Sequence, residues 1–379
     1  MKIVIASDSF KGSLSSTAVA QSATAGIHSV CPSCEVIGVN VADGGEGTVD
    51  AIVEALHVEI IVTTVSDPLG RPIQARYGIA GVVAIIEMAA ASGLTLLQPH
   101  ERNPWFTSTH GTGELIMDAI HRGCRLFLIG IGGSATNDAG TGMLQALGFR
   151  FYDKHDQEIT HCCGGTMHDI VRIDDSHVPE SVRQSVFTVA CDVDTPFCGP
   201  EGAAPVFAPQ KGADASMVQQ LNAGMESLAK VIDEKYHINI VSIHGAGAAG
   251  GMGGAFRAFL NSTLKRGIDM VLDAIDFDHI IHKADLIITG EGKIDFQTAK
   301  GKTAAGVLAY AKKQDIPVVA IGGCVEYCES VKQMGFDGIY PILEEEVPLE
   351  VAMQPDFAAA NVQKTVAKIL QQRITQHNE

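Results

Sequence analysis

The sequence predicts an α/β fold of two α/β domains with mostly parallel sheets, the second inserted into the first, and three observations lead there. The chain has 379 residues, and at about 150 residues per domain that length suits two domains. Short apolar runs alternate with segments of helical period at both ends of the chain, the pattern of βα units. Near residue 58 the style changes, and β-rich segments separated by turn residues follow one another. The two ends, 1–66 and 277–379, therefore read as one outer domain. Residues 67–276 read as an inserted domain with an antiparallel meander.

Taken in order, Lys2–Ala6 is a near-continuous apolar run, the mark of a parallel strand covered on both faces. Ser13, Ser15 and Ser16 offer N-caps to a helix in which Ala20, Ala23, Ile27 and Val30 recur at helical spacing. Val36–Val41 is the next strand and Thr48–Leu56 the next helix. Val58–Val65, Ile73–Ile79 and Val82–Glu87 make the meander, with turn chemistry in Asp67-Pro68-Leu69-Gly70. A helix near Gly113–His121, a strand Leu126–Ile129 and a helix Asp138–Leu147 follow. Then come a strand Ser185–Ala190 and a long helix Ala215–Lys235. From Asp285 the strands Leu286–Thr289, Val318–Ile321 and Gly338–Tyr340 alternate with helices near Thr303–Lys313, Glu326–Met334 and Phe357–Gln372. The last carries Val362, Val366, Ile369 and Arg373 on one face.

Composition narrows the function. Hydrophobic residues make up 46% and charged residues 19%, which excludes a disordered chain. Lys and Arg number 27 against 44 Asp and Glu, a formal charge of −17 that repels nucleic acid and anionic membrane surfaces. No apolar run approaches the roughly 18 residues that cross a bilayer. The opening Met1 to Ala6 is too short for a signal-peptide core before Asp8. A soluble, cytoplasmic protein is expected. Nine cysteines, an odd number, argue for reduced thiols. Cys31-Pro32-Ser33-Cys34 precedes a strand, whereas a thioredoxin-like dithiol sits where a strand gives way to a helix. Neither Cys324 with Cys328 nor Cys162-Cys163 has a second pair at zinc-site spacing.

Ligands of open parallel sheets bind at the carboxyl ends of the strands, so the residues just after each strand carry the chemistry. Those residues are Asp8-Ser9-Phe10-Lys11-Gly12, Asp43-Gly44-Gly45-Glu46-Gly47-Thr48, Gly130 to Asp138, Cys191-Asp192-Val193-Asp194 and Gly290-Glu291-Gly292-Lys293-Ile294-Asp295. One Asp-Gly after a strand is usually a turn. Five strand ends that all collect acids and glycines are harder to explain that way. Phosphoryl transfer needs that mixture: carboxylates for Mg²⁺, a base for the accepting hydroxyl, cations and N–H groups for phosphates.

Other patterns say less. Gly130-Ile131-Gly132-Gly133-Ser134-Ala135 and Gly245-Ala246-Gly247-Ala248-Ala249-Gly250 both fit the dinucleotide fingerprint, and two matches make neither special. For residues 245–254 a tight backbone crossing that only glycine can make is the competing reading. Gly301-Lys302-Thr303 has the tail of a Walker A loop, but Phe296 stands where its first glycine belongs. No metalloprotease or α/β-hydrolase motif occurs.

Longer blocks then become recognisable. Ser7 to Leu14, Val41 to Thr48, Glu87 to Leu94, Gly111 to Leu115, Gly130 to Asn137, Phe207 to Ala213, Gly245 to Gly253 and Thr289 to Gly292 resemble the type-I glycerate kinase family. The blocks are ordered along the chain, from Ser7 to Gly292. The resemblance implies ATP-dependent phosphorylation of D-glycerate with Mg²⁺, and two α/β domains, one inserted into the other. Ser7, Lys293 and Phe296 depart from the Pro, Arg and Ser usual at those positions. Lys293 keeps the charge of arginine but gives up its bidentate fork.

Loop position then suggests roles. Asp8 or Asp192 is the base, Lys11 and Lys293 offset charge on the transferring group, and Asp43, Glu46 and Asp295 hold Mg²⁺. Gly132, Gly133, Ser134 and Asn137 present donors to nucleotide phosphates. Arg71 clamps the substrate carboxylate, with Ser9 also placed at the substrate. The 2-hydroxyl is the favoured acceptor. The alternatives are an NAD(P)-dependent oxidoreductase of a small hydroxy acid, from the two fingerprint matches, and a non-catalytic binding protein.

Overall fold

In the computed structural model of the protein the described residues are 1–42, 52–53, 58–343, 345 and 347–377. Asp43, Glu46 and most of the helix expected at Thr48–Leu56 lie outside them. The strands are β1 (Lys2–Ser7), β2 (Glu35–Asn40), β3 (Glu59–Ser66), β4 (Pro72–Ala80), β5 (Val83–Glu87), β6 (Leu126–Gly130), β7 (Arg150–Tyr152), β8 (Arg172–Asp174), β9 (Val186–Ala190), β10 (Ser262–Lys265), β11 (Leu286–Ile294), β12 (Val318–Val325) and β13 (Gly338–Pro341). The helices used below are α1 (Ser16–Val30), α2 (His110–His121), α3 (Thr141–Ala146), α4 (Ala215–Tyr236), α5 (Ala248–Phe259), α6 (Gly267–Ala274), α7 (Thr303–Lys312) and α8 (Pro355–His377). The chain divides into two compact units. The first contains β1, α1, β2 and the chain from Val271 onward; the second contains β3 through Met270.

The first unit is built on a five-stranded sheet of order β13-β12-β11-β1-β2, parallel throughout. Ile3, Val4, Ile5 and Ala6 are fully buried, as a strand covered on both faces requires. Ser15 caps α1 by accepting the Ala18 N–H at 3.1 Å, which fixes where the helix starts. One core joins Ile3 and Ile5 to Val19, Ala23 and Ile27 of α1 and to Val362, Val366 and Ile369 of α8. Gly26 allows the two helices to meet, since a Cβ there would stand 2.4 Å from the Gln363 carbonyl oxygen. Cys31 and Cys34 correct the expectation of reduced thiols. The tight turn after α1 brings their Cα atoms to 5.5 Å, and a disulfide joins them.

β11 runs further than its apolar stretch. Leu286–Thr289 was expected as the strand and Gly290-Glu291-Gly292 as a loop, yet these residues continue the ladder. Glu291 is opposite Gly322 and Lys293 opposite Cys324. The glycines permit the extension, because a Cβ on Gly290 would stand 2.5 Å from the Ile321 carbonyl.

The second unit holds a six-stranded sheet of order β10-β9-β6-β5-β4-β3. β5, β6, β9 and β10 are parallel, and β4 and β3 add an antiparallel hairpin. β3 thus belongs to this sheet, because its turn and alternation pair it with β4 over its whole length. Its core includes Phe127 and Phe187, stacked with ring centroids 4.8 Å apart, and Phe256 of α5. The short β7–β8 ribbon has no counterpart among the expected strands. Ile238–Ile243, apolar enough for a strand, instead contains a 3₁₀ turn at Ile240–Ser242.

The Gly245–Gly253 stretch resolves as a backbone crossing. Ala249, Gly250 and Gly251 all have positive φ, so α5 begins with a sharp bend. A Cβ on Gly247 would stand 2.1 Å from the Pro196 carbonyl oxygen, and one on Gly250 2.2 Å from that of Thr136. Gly250→Ala meets both a left-handed backbone and a clash, and is expected to cost about 3 kcal/mol. Gly70→Ala, with φ +80° and open space around it, should cost only about 1 kcal/mol. Urea unfolding of the two variants beside wild type checks this; equal losses would contradict the crossing.

Candidate active site

In the first unit the chain passes from β1 outward to β2, then returns to place β11 on the other side of β1. That reversal is a topological switch point, and the crevice beyond β1 and β11 is where such sheets take ligands. Asp8 lies there, its N–H bonded to the Gly290 carbonyl at 2.9 Å. Its Oδ1 accepts the Ser9 N–H at 2.7 Å and its Oδ2 the Thr303 hydroxyl at 2.9 Å. Charged-group hydrogen bonds of this kind fix the carboxylate's orientation. Ser9 also turns its hydroxyl to Asp8 Oδ1, at 3.4 Å.

Glu291 stands beside this pair, only 5% exposed. It accepts the Ala304 N–H at 3.2 Å and the Thr298 hydroxyl at 3.3 Å. Burial pushes its carboxyl up to about 7, and the Asp8 charge adds to the rise, against the lowering by the Ala304 N–H and Lys302. Asp295 is buried as well and accepts the Gln297 N–H at 2.8 Å. Lys293 is half exposed, 2.7 Å from Glu326 and 3.5 Å from Asp295. Its hydrogen bond to Glu326 is the main reason its pKa is raised. Phe296 is exposed. Lys11 is exposed on the turn after β1.

In the second unit the carboxyl ends of β5 and β6 border a cavity of about 590 Å³ lined by Arg76, Glu87, Gly130, Gly132 and Gly133 among others. Gly132 and Gly133 are exposed on the loop after β6, and Gly133 has φ +73°. The loop is held from below by Lys211, 1% exposed, whose ammonium donates to the Ser134 hydroxyl at 2.7 Å and the Thr136 carbonyl at 2.6 Å. Burial lowers the Lys211 pKa to about 7, partly countered by Asp138. Asp138 is fully buried under four donors: the Thr109 N–H and hydroxyl and the N–H groups of Gly140 and Gly142. Its pKa is raised by burial all the same.

The sequence-selected residues therefore divide. Asp8, Ser9, Lys11, Lys293 and Asp295 gather at the switch point of the first unit, while Gly132, Gly133 and Ser134 line the loop of the second. Asn137 does not present itself there, being fully buried with its Nδ2 on the Met225 sulfur at 3.3 Å. Asp192 is exposed and accepts the N–H of Gly267, the first residue of α6, at 2.9 Å. Arg71, just before β4, is held at 2.6 Å by both Asp67 and Glu101. Glu291, Thr298, Thr303, Arg76 and Lys211 were not selected. Thr303 had a signal, since it closes the Walker-like Gly301-Lys302-Thr303 tail. Arg76 had none, lying on an edge hairpin inside an ordinary alternation.

Comparison with known proteins agrees with the longer sequence blocks. The model of the glycerate kinase family matches residues 3–373. A "Glycerate kinase" of Bacillus subtilis (strain 168) is 46% identical over 372 residues, 97% of each chain. A "Glycerate 2-kinase" of Escherichia coli (strain K12) is 42% identical over 375 residues, 97% of this chain and 98% of the relative. A crystal structure from Salmonella typhimurium LT2, assigned provisionally as glycerate kinase 2, superposes with a TM-score of 0.89 over all of both chains at 40% identity. None of these three is described as a nicotinamide-dependent oxidoreductase, which leaves that alternative without support.

The position of Glu291 gives a pH-dependent stability. A carboxyl whose folded pKa exceeds its unfolded value stabilises the fold most below the unfolded pKa, and loses that contribution as pH rises through the folded one. For Glu291 the window runs from 4.5 to about 7. Glu291→Gln keeps the shape and cannot ionise. Relative to wild type it should gain up to roughly 3 kcal/mol between pH 5 and pH 8. Urea unfolding at both pH values, without divalent cations, measures the gain; a pH-independent difference would remove Glu291 as a titrating group.

Proposed function

This chain belongs to the glycerate kinase family, and from that premise we propose that it transfers the γ-phosphoryl group of ATP to D-glycerate with Mg²⁺, giving 2-phosphoglycerate and ADP. The observation that carries the reading is the set of acids at the β1/β11 switch point, with Asp8 oriented by Thr303 and Ser9. The name of the Escherichia coli relative supports the 2-position.

Asp8 is the base in this proposal. A hydroxyl oxygen of glycerate bonds to the γ-phosphorus, the bond from that phosphorus to the bridging oxygen breaks with its electron pair leaving on ADP, and the hydroxyl proton passes to Asp8. The Ser9 N–H on Oδ1 and the Thr303 hydroxyl on Oδ2 fix the plane of the carboxylate that takes this proton. Ser9 adjoins the same carboxylate and remains at the substrate. Asp192 serves α6 instead, through Gly267. Lys11 and Lys293 offset charge on the transferring group.

Oxygen donors of the kind Asp295 supplies suit Mg²⁺, which takes one or two carboxylates together with waters and phosphate oxygens. Asp295 would hold the ion with Asp43 and Glu46, and the bound ion would neutralise charge on the β- and γ-phosphates. In the second unit Gly132, Gly133 and Ser134 receive a substrate anion, carboxylate or phosphate, through backbone and hydroxyl donors. Arg71, expected from the sequence to clamp the substrate carboxylate, is engaged by Asp67 and Glu101, and Arg76 is the arginine that lines the cavity of the second unit.

Release of ADP on addition of D-glycerate to enzyme and Mg-ATP tests the reaction, and coupling the product to enolase tests the 2-position. Asp8→Asn should lower kcat by about 10²- to 10⁴-fold, with a KM for glycerate close to wild type. Asp192→Asn should cost less than about tenfold, the share of a residue that only supports a helix start. The reverse order of the two effects would move the base to Asp192; no turnover by the wild type would sink the kinase reading.

A further inference from the structure

The switch-point acids account for phosphates and a hydroxyl, but leave the remainder of a nucleotide unhoused. A second cavity, of about 230 Å³, opens at the same carboxyl edge of the first unit. It is bordered by Phe10 and Lys11 after β1, Gly292 of β11, Gly323 and Cys324 of β12, and Met353. We propose that this cavity holds the purine ring of the nucleotide, a site that rests on the kinase reading above.

Three features carry the assignment. The first is chemistry: Phe10, Ile342, Leu349, Ala352 and Met353 make the lining mainly apolar. Glycerate or a phosphate would be stripped of water there with little return, whereas an aromatic ring gains by the transfer. The second is size. The space falls below the roughly 300–1,000 Å³ of sites for whole drug-sized ligands, and so suits one fused ring, with sugar and phosphates outside.

The third is placement. Gly292 and Gly323 form a floor of bare backbone, since a Cβ on Gly323 would stand 2.7 Å from the Gly292 carbonyl oxygen. A Cβ on Gly292 would stand 3.4 Å from the Lys11 nitrogen. Gly292 is flanked in sequence by Glu291 and Lys293, so ring, cation and acids share one strand end. Lys11 lies on the rim, where a phosphate chain leaving the ring needs a cation.

Cys324 lines the cavity and is exposed as a free thiol, which makes it a reporter. The full chain is treated with iodoacetamide, and modification of Cys324 is timed by peptide mass spectrometry, with Cys328 outside the lining as the internal reference. Adenosine or ADP at ten times its Kd should slow Cys324 by about tenfold and leave Cys328 unchanged. Tripolyphosphate and D-glycerate should leave both rates unchanged. In parallel, Cys324→Trp fills the cavity and should raise the KM for ATP at least about tenfold while the KM for glycerate stays put; this split separates occupancy from general damage.

Protection by tripolyphosphate alone would make the cavity a phosphate site and overturn the proposal. So would unprotected Cys324 in an enzyme that releases ADP normally, and that result would leave the reaction standing. An enzyme with no ADP release would instead remove the kinase reading and this site with it.

Discussion

The register of β1 against β11 is the constraint on which the rest depends. It sets Ala6 beside Thr289 and Ser7 beside Gly290, residues some 283 positions apart in the chain. The Thr289 hydroxyl donates to the Ala6 carbonyl at 2.7 Å, and the Asp8 N–H to the Gly290 carbonyl at 2.9 Å. In a buried parallel sheet a slip of one residue would turn every side chain to the opposite face. Such a slip would part Asp8 from Thr303. The geometry of the candidate site is therefore a consequence of strand pairing, and the loops after the strands inherit it.

Electrostatics follow from the same pairing. A chain of net charge −17 from a family that phosphorylates an anion must limit repulsion where that anion binds. Burying Glu291 near Asp8 does so, because two close carboxylates share ionisation unequally and the more buried one stays protonated longer. Lys293 is treated in the opposite way. It is exposed between Asp295 and Glu326, where arginine's fixed fork would bind one partner bidentately and the flexible ammonium instead spans two. Lys211 shows a third solution in the other unit, where a buried amine is satisfied by a hydroxyl and a carbonyl and braces a glycine loop from below.

Most of the fold was legible in the sequence because buried parallel strands and long amphipathic helices leave strong periodic marks. Lys2–Ala6, Leu126–Ile129 and Ala215–Lys235 agree with observed elements to within a residue or so. The failures share a physical cause: long-range contact outweighed local pattern. β11 extends five residues beyond Thr289, through Gly290-Glu291-Gly292, because β12 supplies a partner as far as Ile294 while β1 pairs only to Gly290. The acids Asp8 and Asp295 could be chosen from strand-end position alone. Thr303 and Arg76 could not, since what makes them relevant is a neighbour distant in sequence.

The two fingerprint-like glycine loops show how a motif is decided by its surroundings. Both have the spacing of a dinucleotide turn, and in the sequence nothing separates them. At Gly247, Gly250 and Gly253 a Cβ would meet backbone oxygens at 2.1, 2.2 and 2.5 Å, so those glycines are consumed by the chain's own crossing. At Gly133 the nearest atom to a Cβ would be the Ala89 methyl carbon at 3.4 Å, on a loop exposed to solvent and bordering a cavity. A glycine whose missing side chain is replaced by protein closes a fold. One whose missing side chain leaves room beside a cavity, as at Gly133, leaves space for a ligand. By that criterion the loop at 130–134 is available for an anion, while the loop at 245–253 is spent on holding the unit together.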